Sequence, residues 1–452
     1  MARQPETASE LKRSVGVMGV VSLGLGTAIG VSVFSILAPA TALAGPAMLV
    51  SMLVAMVPMI VFGFVYAFMG SAAPVTGASF EWPRRFVHPF LGFFISWLRI
   101  AGSTAAVIVL TMVLVSYLGT AIDVPLKPTM LGILVFVLIV NLIGVSAATV
   151  SQTVMLFILL ATCAIFTFGS VPAISTESFT PFVSHGVVGI LAAVPLMISL
   201  FLGIESATEV GGEVTRPSRT IPLGISISVL LTAAVYFGVA YAAIGVLGAD
   251  GLAASDAPLL DAAIVSLGEP GRWLILISAT VAIGSSINAT FIIMSRFLYA
   301  MARAGMLPGS LAHVHENSGV PRRAVLVAFV LCSFGLFMPN NLVFLFLAVN
   351  IPTILKYAAT CLSSIMLLRR EPALYETSAF RPSRSVLMGF AGAGIVLGAA
   401  IIVLGWSADW RPYALLAGWA VVGCIYYAVL TRSGGARPAL QGAAGSGTGR
   451  TE

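Results

Sequence analysis

The sequence predicts an all-helical protein that crosses a membrane about 12 times. Hydrophobic residues make up 59% of the 452 and charged residues 9%, against roughly 45–50% and about 25% in ordinary globular domains. Apolar runs of about 20 residues recur from Val15 to Tyr426, each long enough for a hydrocarbon core of ~30 Å. The runs are continuous, whereas the strands of a membrane barrel are short and strictly alternating.

Taken in order, residues 1–14 are polar and mixed in charge, and the apolar run behind them is too long for a signal-peptide core. They read as a cytosolic lead into a retained first span. Spans fall near residues 15–40, 46–70, 89–118, 128–144, 150–170, 188–212, 222–247, 271–301, 323–338, 342–368, 385–404 and 413–430. Residues 433–452, rich in Gly, Ala and Ser, read as a disordered cytosolic tail. No second soluble domain is expected.

Charge tests this order independently. With a cytosolic N-terminus, about 18 Lys and Arg fall in inner loops and about 3 (Lys127, Arg272, Arg411) in outer ones, as the positive-inside rule requires. Both termini are then cytosolic, in the plasma membrane or its bacterial equivalent, the inner membrane. The longest outer loop, 248–271, carries Asp250, Asp256, Asp261 and Glu269. The net charge of +6 follows from topology, so the surroundings are membrane lipid and no nucleic acid is implied as a partner.

Enzyme chemistry finds little support. His88, His185, His313 and His315 lie in loops, and the sequence contains no HExxH, GxSxG, Walker A or CxxC pattern. His313-Val314-His315-Glu316 reads as polar loop rather than a metal cluster. Cys163, Cys332, Cys361 and Cys424 sit in apolar runs as small packing residues. No metal and no cofactor are expected.

Two runs are broken at matching places, Gly26-Thr27-Ala28-Ile29-Gly30 in the first and Leu202-Gly203-Ile204-Glu205-Ser206 in the sixth. Discontinuous helices in corresponding halves are how secondary transporters present backbone groups to a substrate at the bilayer midplane. Unwound N–H groups suit a carboxylate. Close helix packing explains the first break's glycines equally well. The sixth break also carries an acid. An intramembrane carboxylate costs several kcal/mol unless it is paired, protonated or hydrated, which makes Glu205 the leading site residue. Glu209 and Glu213, one and two turns later, read as a solvated helix end.

Two cations also lie inside spans. Arg99 is about 10 residues into the third span, where it either snorkels to the interface or serves the site. Lys356 lies about 18–20 Å along the helix from Arg369, too deep to reach the interface easily. Lys356 could exchange protons, stand where other carriers hold sodium, or pair with Glu205. In the eighth span Ser285, Ser286, Asn288 and Thr290 form a polar group that either lines a cavity or joins helices. Tyr236, Tyr241 and Tyr357 read as core or interface aromatics.

Four stretches in register resemble one family. Gly26-Thr27-Ala28-Ile29-Gly30-Val31-Ser32-Val33-Phe34 is similar to the first-span GxxxGxGxF signature of the amino acid-polyamine-organocation superfamily. Its sixth-span GxEx block is matched by Gly203-Ile204-Glu205-Ser206. Its ExxxPxRxxP block is matched by Glu213, Pro217, Arg219 and Pro222. A fourth match covers Ser295 to Pro308, with Val320-Pro321-Arg322 behind it.

The resemblance implies a LeuT-like core of two inverted five-helix repeats over residues 15–368, with discontinuous helices 1 and 6, and two peripheral spans over 369–432. It implies an alternating-access carrier of an amino acid or related amine. The substrate carboxylate would lie on the backbone of Ala28, Ile29, Gly30, Val31 and Ser32. The amino group would lie on the carbonyls of Phe201, Leu202, Gly203 and Ile204, with Asn288 as a further lining residue. Glu205 matches the proton-sensing acid of the basic amino acid and polyamine antiporters, and Lys356 and Arg99 join it as coupling or gating residues.

Two departures qualify the match. Ser32 stands where the family usually has glycine. Ser199 stands where arginine/agmatine antiporters carry a stacking Trp, and loss of that cation-π platform argues against arginine as substrate. The expectation is proton-coupled uptake of a neutral or small amino acid, with sodium the weaker alternative to protons. An amino acid or polyamine exchanger is the nearest rival, and a sensor or channel on the same fold is a rival of another class. Oligomeric state is not readable.

Overall fold

The computed structural model of the chain describes residues 15–28, 32–75, 77–143, 148–209, 211, 214–314 and 320–432. The first apolar run forms α1 (Val17–Ala28), α2 (Ser32–Ser35) and α3 (Leu37–Ala44), and a 3₁₀ turn leads into α4 (Met48–Ala72). A short α5 (Ala78–Trp82) precedes α6 (Pro89–Gly119), α7 (Leu126–Ile143) and α8 (Ala148–Gly169). The sixth run forms α9 (Gly186–Met197), a 3₁₀ turn over Ile198–Phe201, a non-helical stretch, and α10 (Ser206–Glu209). Then follow α11 (Pro217–Ala254), α12 (Pro258–Arg303), α13 (Arg322–Gly335), α14 (Leu342–Arg370), α15 (Pro372–Thr377), α16 (Arg384–Ala408) and α17 (Arg411–Arg432). Apart from one isolated bridge, Val15 to Val214, the described residues contain no β-structure.

Apolar composition carries these helices, and polar side chains set their ends. His88 accepts the Phe90 N–H at 3.1 Å to start α6, and Asn341 accepts the Phe344 N–H at 2.9 Å to start α14. Each occupies one of the first-turn donors that have no partner within the helix. Seven helical stretches among the described residues are long and apolar enough to cross a membrane. Large apolar side chains such as Phe168, Val188 and Val403 face outward, exposed, which suits lipid rather than water. The chain is an integral membrane protein.

Helices α6 and α14 form the interior. Of their most apolar windows 78% and 72% is buried, against 28% for α16 and 11% for α17. Helix α6 packs on both α12 and α14, while α11 packs on α1, α3 and α4. Trp97 of α6 and Trp419 of α17 stack at 4.7 Å and exchange indole-to-carbonyl hydrogen bonds at 2.8 Å, fastening the outermost helix.

Loops that the charge pattern assigns to opposite faces do separate into two ends. At one end, Gly77 N–H donates to Glu209 O, Thr215 N–H donates to Val15 O, Arg85 pairs with Glu371 and Arg370 donates to Val87 O. At the other, Arg272 donates to Thr120 O, Lys127 donates to Leu336 O, Ser175 N–H donates to Gly245 O, and Gly45 lies against Ser184 and His185.

The stretch 248–271 differs from the expected loop. It is largely helical, because Gly248 (φ 72°) and Gly268 (φ 68°) turn the chain while the backbone hydrogen bonding resumes on either side. Left-handed backbone of this kind is open to glycine without a side-chain clash. Aspartates and glycines read as loop, but here they punctuate short helical segments capping the end of the bundle.

The first and sixth runs touch near this end. A Cβ at Gly189 of α9 would fall on the Leu43 carbonyl oxygen of α3 and 2.6 Å from His185 Cβ at the start of α9. Neither atom can move without shifting a helix. Gly189→Ala is therefore expected to destabilise the protein by about 1–3 kcal/mol, the usual range for overpacking, read as a lower unfolding temperature in detergent; an unchanged temperature would mean the two runs are not in close contact.

Candidate functional site

The sixth run breaks because three local features coincide. The 3₁₀ turn ends at Phe201, Leu202 is extended (ψ 128°), and Gly203 adopts φ 107°. Glu205 then folds back, its Oε2 accepting the Gly203 N–H at 3.0 Å. Helix α14 supplies the other partners. Lys356 Nζ donates to Glu205 Oε1 at 2.5 Å and Tyr357 OH donates to Oε2 at 2.7 Å. The Lys356 and Glu205 side chains are only 2% and 7% exposed. Of the readings the sequence left open for Lys356, the structure displays the pair.

Aromatic rings enclose that pair. Lys356 Nζ lies 4.9 Å from the Tyr357 ring centroid and 6.0 Å from that of Tyr66, within reach of cation-π attraction. Tyr66 accepts from Thr360 at 3.0 Å and packs edge-on to Tyr357 at 5.4 Å. Burying two charges in such a site is favourable only when their remaining hydrogen-bonding capacity is met. Here both carboxylate oxygens are occupied.

Upstream of the break, α14 acts again. Asn350 donates to Pro195 O at 2.6 Å and shares hydrogen bonds with the Ser199 hydroxyl, at 2.8 and 3.0 Å. Where α9 tightens to a 3₁₀ turn, carbonyls lose their regular partners and a buried amide supplies one. Asn350 was not selected from the sequence, although a lone amide in an apolar run six residues before Lys356 is itself a signal.

Of the first-break residues, Ile29, Gly30 and Val31 lie outside the described residues. Their neighbours are held by three hydroxyls. Tyr236 of α11 donates to Ala28 O at 2.7 Å, Tyr117 of α6 donates to Phe34 O at 2.9 Å, and Ser32 donates to Ser199 O at 2.8 Å. The Ser32 hydroxyl, the departure from the family pattern, thus ties one broken run to the other. Tyr236 and Tyr357 are buried aromatics, as read from the sequence, but their hydroxyls serve the breaks. Tyr241 is exposed and stacks on Phe179.

Other expected site residues lie differently. Arg99, partly buried on α6, donates to Thr353 of α14 at 3.2 Å. Asn288 accepts from Asn141 of α7 at 2.8 Å, which joins two helices, whereas Ser286 donates to Ala282 O of its own helix. Glu209 is not a merely solvated helix end, since its carboxylate accepts from the hydroxyl and the backbone N–H of Ser79 at the start of α5. Glu213, His315 and Glu316 lie outside the described residues. Among the described residues no group of His, Cys, Asp or Glu could hold a metal ion.

Comparison with known proteins decides the family. The model of the family described as amino acid permease matches residues 15–430. The chain belongs to that family, within the amino acid-polyamine-organocation superfamily. The permease is 32% identical to an uncharacterized transporter of Mycobacterium tuberculosis over 324 residues, 70% of this chain and 72% of the relative. It is 23% identical to a branched-chain amino acid permease of Bacillus subtilis, covering 93% and 94% of the two chains. It is 26% identical to an aspartate-proton symporter of Bacillus subtilis, covering 79% and 73%. These likenesses make it an amino acid transporter and not an enzyme.

Because each charge in the permease's buried pair depends on the other, losing one should be worse than losing both. Lys356→Met is expected to destabilise by about 3–5 kcal/mol, the usual result of leaving one buried charge uncompensated. Combining it with Glu205→Gln should restore most of the loss, and thermal unfolding of the two variants in detergent tests this. Equal destabilisation by the single and double variants would show that the ion pair contributes no coupling.

Proposed function

We propose that the protein is a secondary active permease that takes up a neutral or small amino acid with protons by alternating access. The observation that carries this reading is the buried Lys356–Glu205 pair, which joins α14 to the break in the sixth run. A carboxylate that alternates between pairing with lysine and carrying a proton can couple proton movement to the position of α14 against the break. Protonation of Glu205 removes the pair's attraction and frees the break to rearrange. Deprotonation restores it.

The proposed architecture is 12 spans, with a LeuT-like five-plus-five inverted repeat over residues 15–368 and peripheral spans over 369–432. The arginine-rich end and both termini face the cytosol of a plasma or bacterial inner membrane. The substrate carboxylate is assigned to the first break from Ala28 to Ser32, and the amino group to the carbonyls from Phe201 to Ile204. Asn288 is left out of this core assignment because its carbonyl is spent on Asn141. Arg99 and Lys356 remain coupling or gating residues. A polyamine exchanger is less well supported, since Glu205 is neutralised by Lys356 and Glu209 is engaged by Ser79.

Uptake of labelled amino acids and polyamines into proteoliposomes, with and without an inward proton gradient and with choline in place of sodium, tests the proposal. Gradient-driven accumulation of one small or neutral amino acid without sodium is expected. Uptake only into vesicles preloaded with a related solute would make the protein an exchanger. Glu205→Gln is expected to transport with its pH dependence lost, and an unchanged pH response in that variant would remove Glu205 from the coupling mechanism.

A further inference from the structure

Around the buried pair the charges do not balance. Glu205 neutralises Lys356, but Arg99 approaches the same face of α14 through Thr353, three residues before Lys356. Arg99 has no carboxylate partner among the described residues; its one hydrogen bond is to the Thr353 hydroxyl. That hydroxyl donates its own proton to Val349 O at 2.8 Å, so it can only accept from Arg99. Glu209, the next acid on the broken run, is held by Ser79 of α5. The contacts among Arg99, Lys356 and Glu205 therefore leave one positive charge, that of the partly buried Arg99, without an opposite charge beside it, an arrangement that favours a bound anion.

Two unspent donors lie on one side of α6. Arg99 Nε is buried with no hydrogen-bond partner. Ser96, three residues earlier and so on the neighbouring turn of the same face, is fully buried with its hydroxyl also unpartnered. Gly102, three residues later, faces Pro352 of α14, and Arg99 itself reaches Thr353, so the Arg99 side of α6 is turned toward α14. A guanidinium N–H and a hydroxyl, both free, beside a surplus positive charge are the donor set of an anion site.

We infer that Arg99 and Ser96 form a binding site for a small monovalent anion between α6 and α14, taking chloride or a small free carboxylate such as acetate. This site is separate from the first break, to which the solute's own carboxylate is assigned above. Either anion would accept from Arg99 Nε and Ser96 Oγ and would bring the local charge to zero.

The test is binding to purified protein in detergent, which requires no transport. Unfolding temperature is titrated with sodium chloride or sodium acetate at constant sodium, a bulky sulfonate serving as the replacing anion. Saturable stabilisation of the unaltered protein is expected. Arg99→Gln should weaken it about tenfold or more and Ser96→Ala about fivefold, as expected for loss of a charge-assisted and a neutral hydrogen bond. Bromide should give an anomalous diffraction peak against Arg99 Nε. Saturation by chloride alone identifies a halide site, and saturation or competition by acetate identifies a carboxylate site. No saturable response to either anion, or equal responses in the unaltered protein and Ser96→Ala, would overturn the inference, and Ser96→Ala decides the matter if Arg99→Gln does not fold. Failure of amino acid uptake would leave these binding results standing, so the two readings fail separately.

Discussion

The contact between Lys356 and Glu205 is the constraint around which the centre of the molecule is arranged. Two opposite charges removed from water lose hydration worth several kcal/mol each, and their attraction recovers it only with good geometry and full hydrogen bonding. The permease supplies both, through Tyr357 and the Gly203 N–H on Glu205 and aromatic faces around the ammonium. An apolar pair of equal volume would serve stability about as well. What the ion pair adds is a contact that a single proton can break.

That contact has consequence because the backbone beside it is not helical. A broken helix in an apolar setting leaves carbonyls and N–H groups without partners, and each must be met from another element. Asn350 meets the sixth run above its break, and Lys356 and Tyr357 meet it below, all from one face of α14. Tyr236 and Tyr117 meet the first run from α11 and α6, and Ser32 ties the two runs together. Helix α14 is continuous from Leu342 to Arg370 and spans the sixth break, with Pro352 between Asn350 and Lys356.

How much of this was legible depended on the range of the signal. Apolar length, loop charge and the glycines at the two breaks are local, so the runs and their interruptions could be read directly. Glu205, Lys356 and Arg99 stood out because charge is rare in such surroundings. Their pairing could not be read, since positions 151 residues apart carry no mark of contact. The tyrosine caps were hidden for a different reason: an aromatic in an apolar run looks like packing, and only its hydroxyl's direction reveals the cap. At 248–271 the composition misled, because glycine and aspartate signal turns in a loop and in a kinked helix alike. Glu209 looked solvated because its partner, Ser79, belongs to a short helix with no apolar signature.

The balance of charge bears on coupling itself. Were Glu205 to take a proton with nothing else changed, Lys356 and Arg99 would be left as two positive charges against the same face of α14, at a cost that opposes protonation. An anion at Arg99 removes that obstacle, because a proton and an anion arriving together leave the site no more charged than before. Under the proposed proton coupling, an anion that binds only alongside solute makes proton binding favourable when solute is present and unfavourable when it is absent. Symport needs that condition, since a carrier that protonates readily when empty dissipates the gradient it depends on. Under the proposed reading, Arg99 and Glu205 meet that requirement through their contacts with Thr353 and Lys356 of α14.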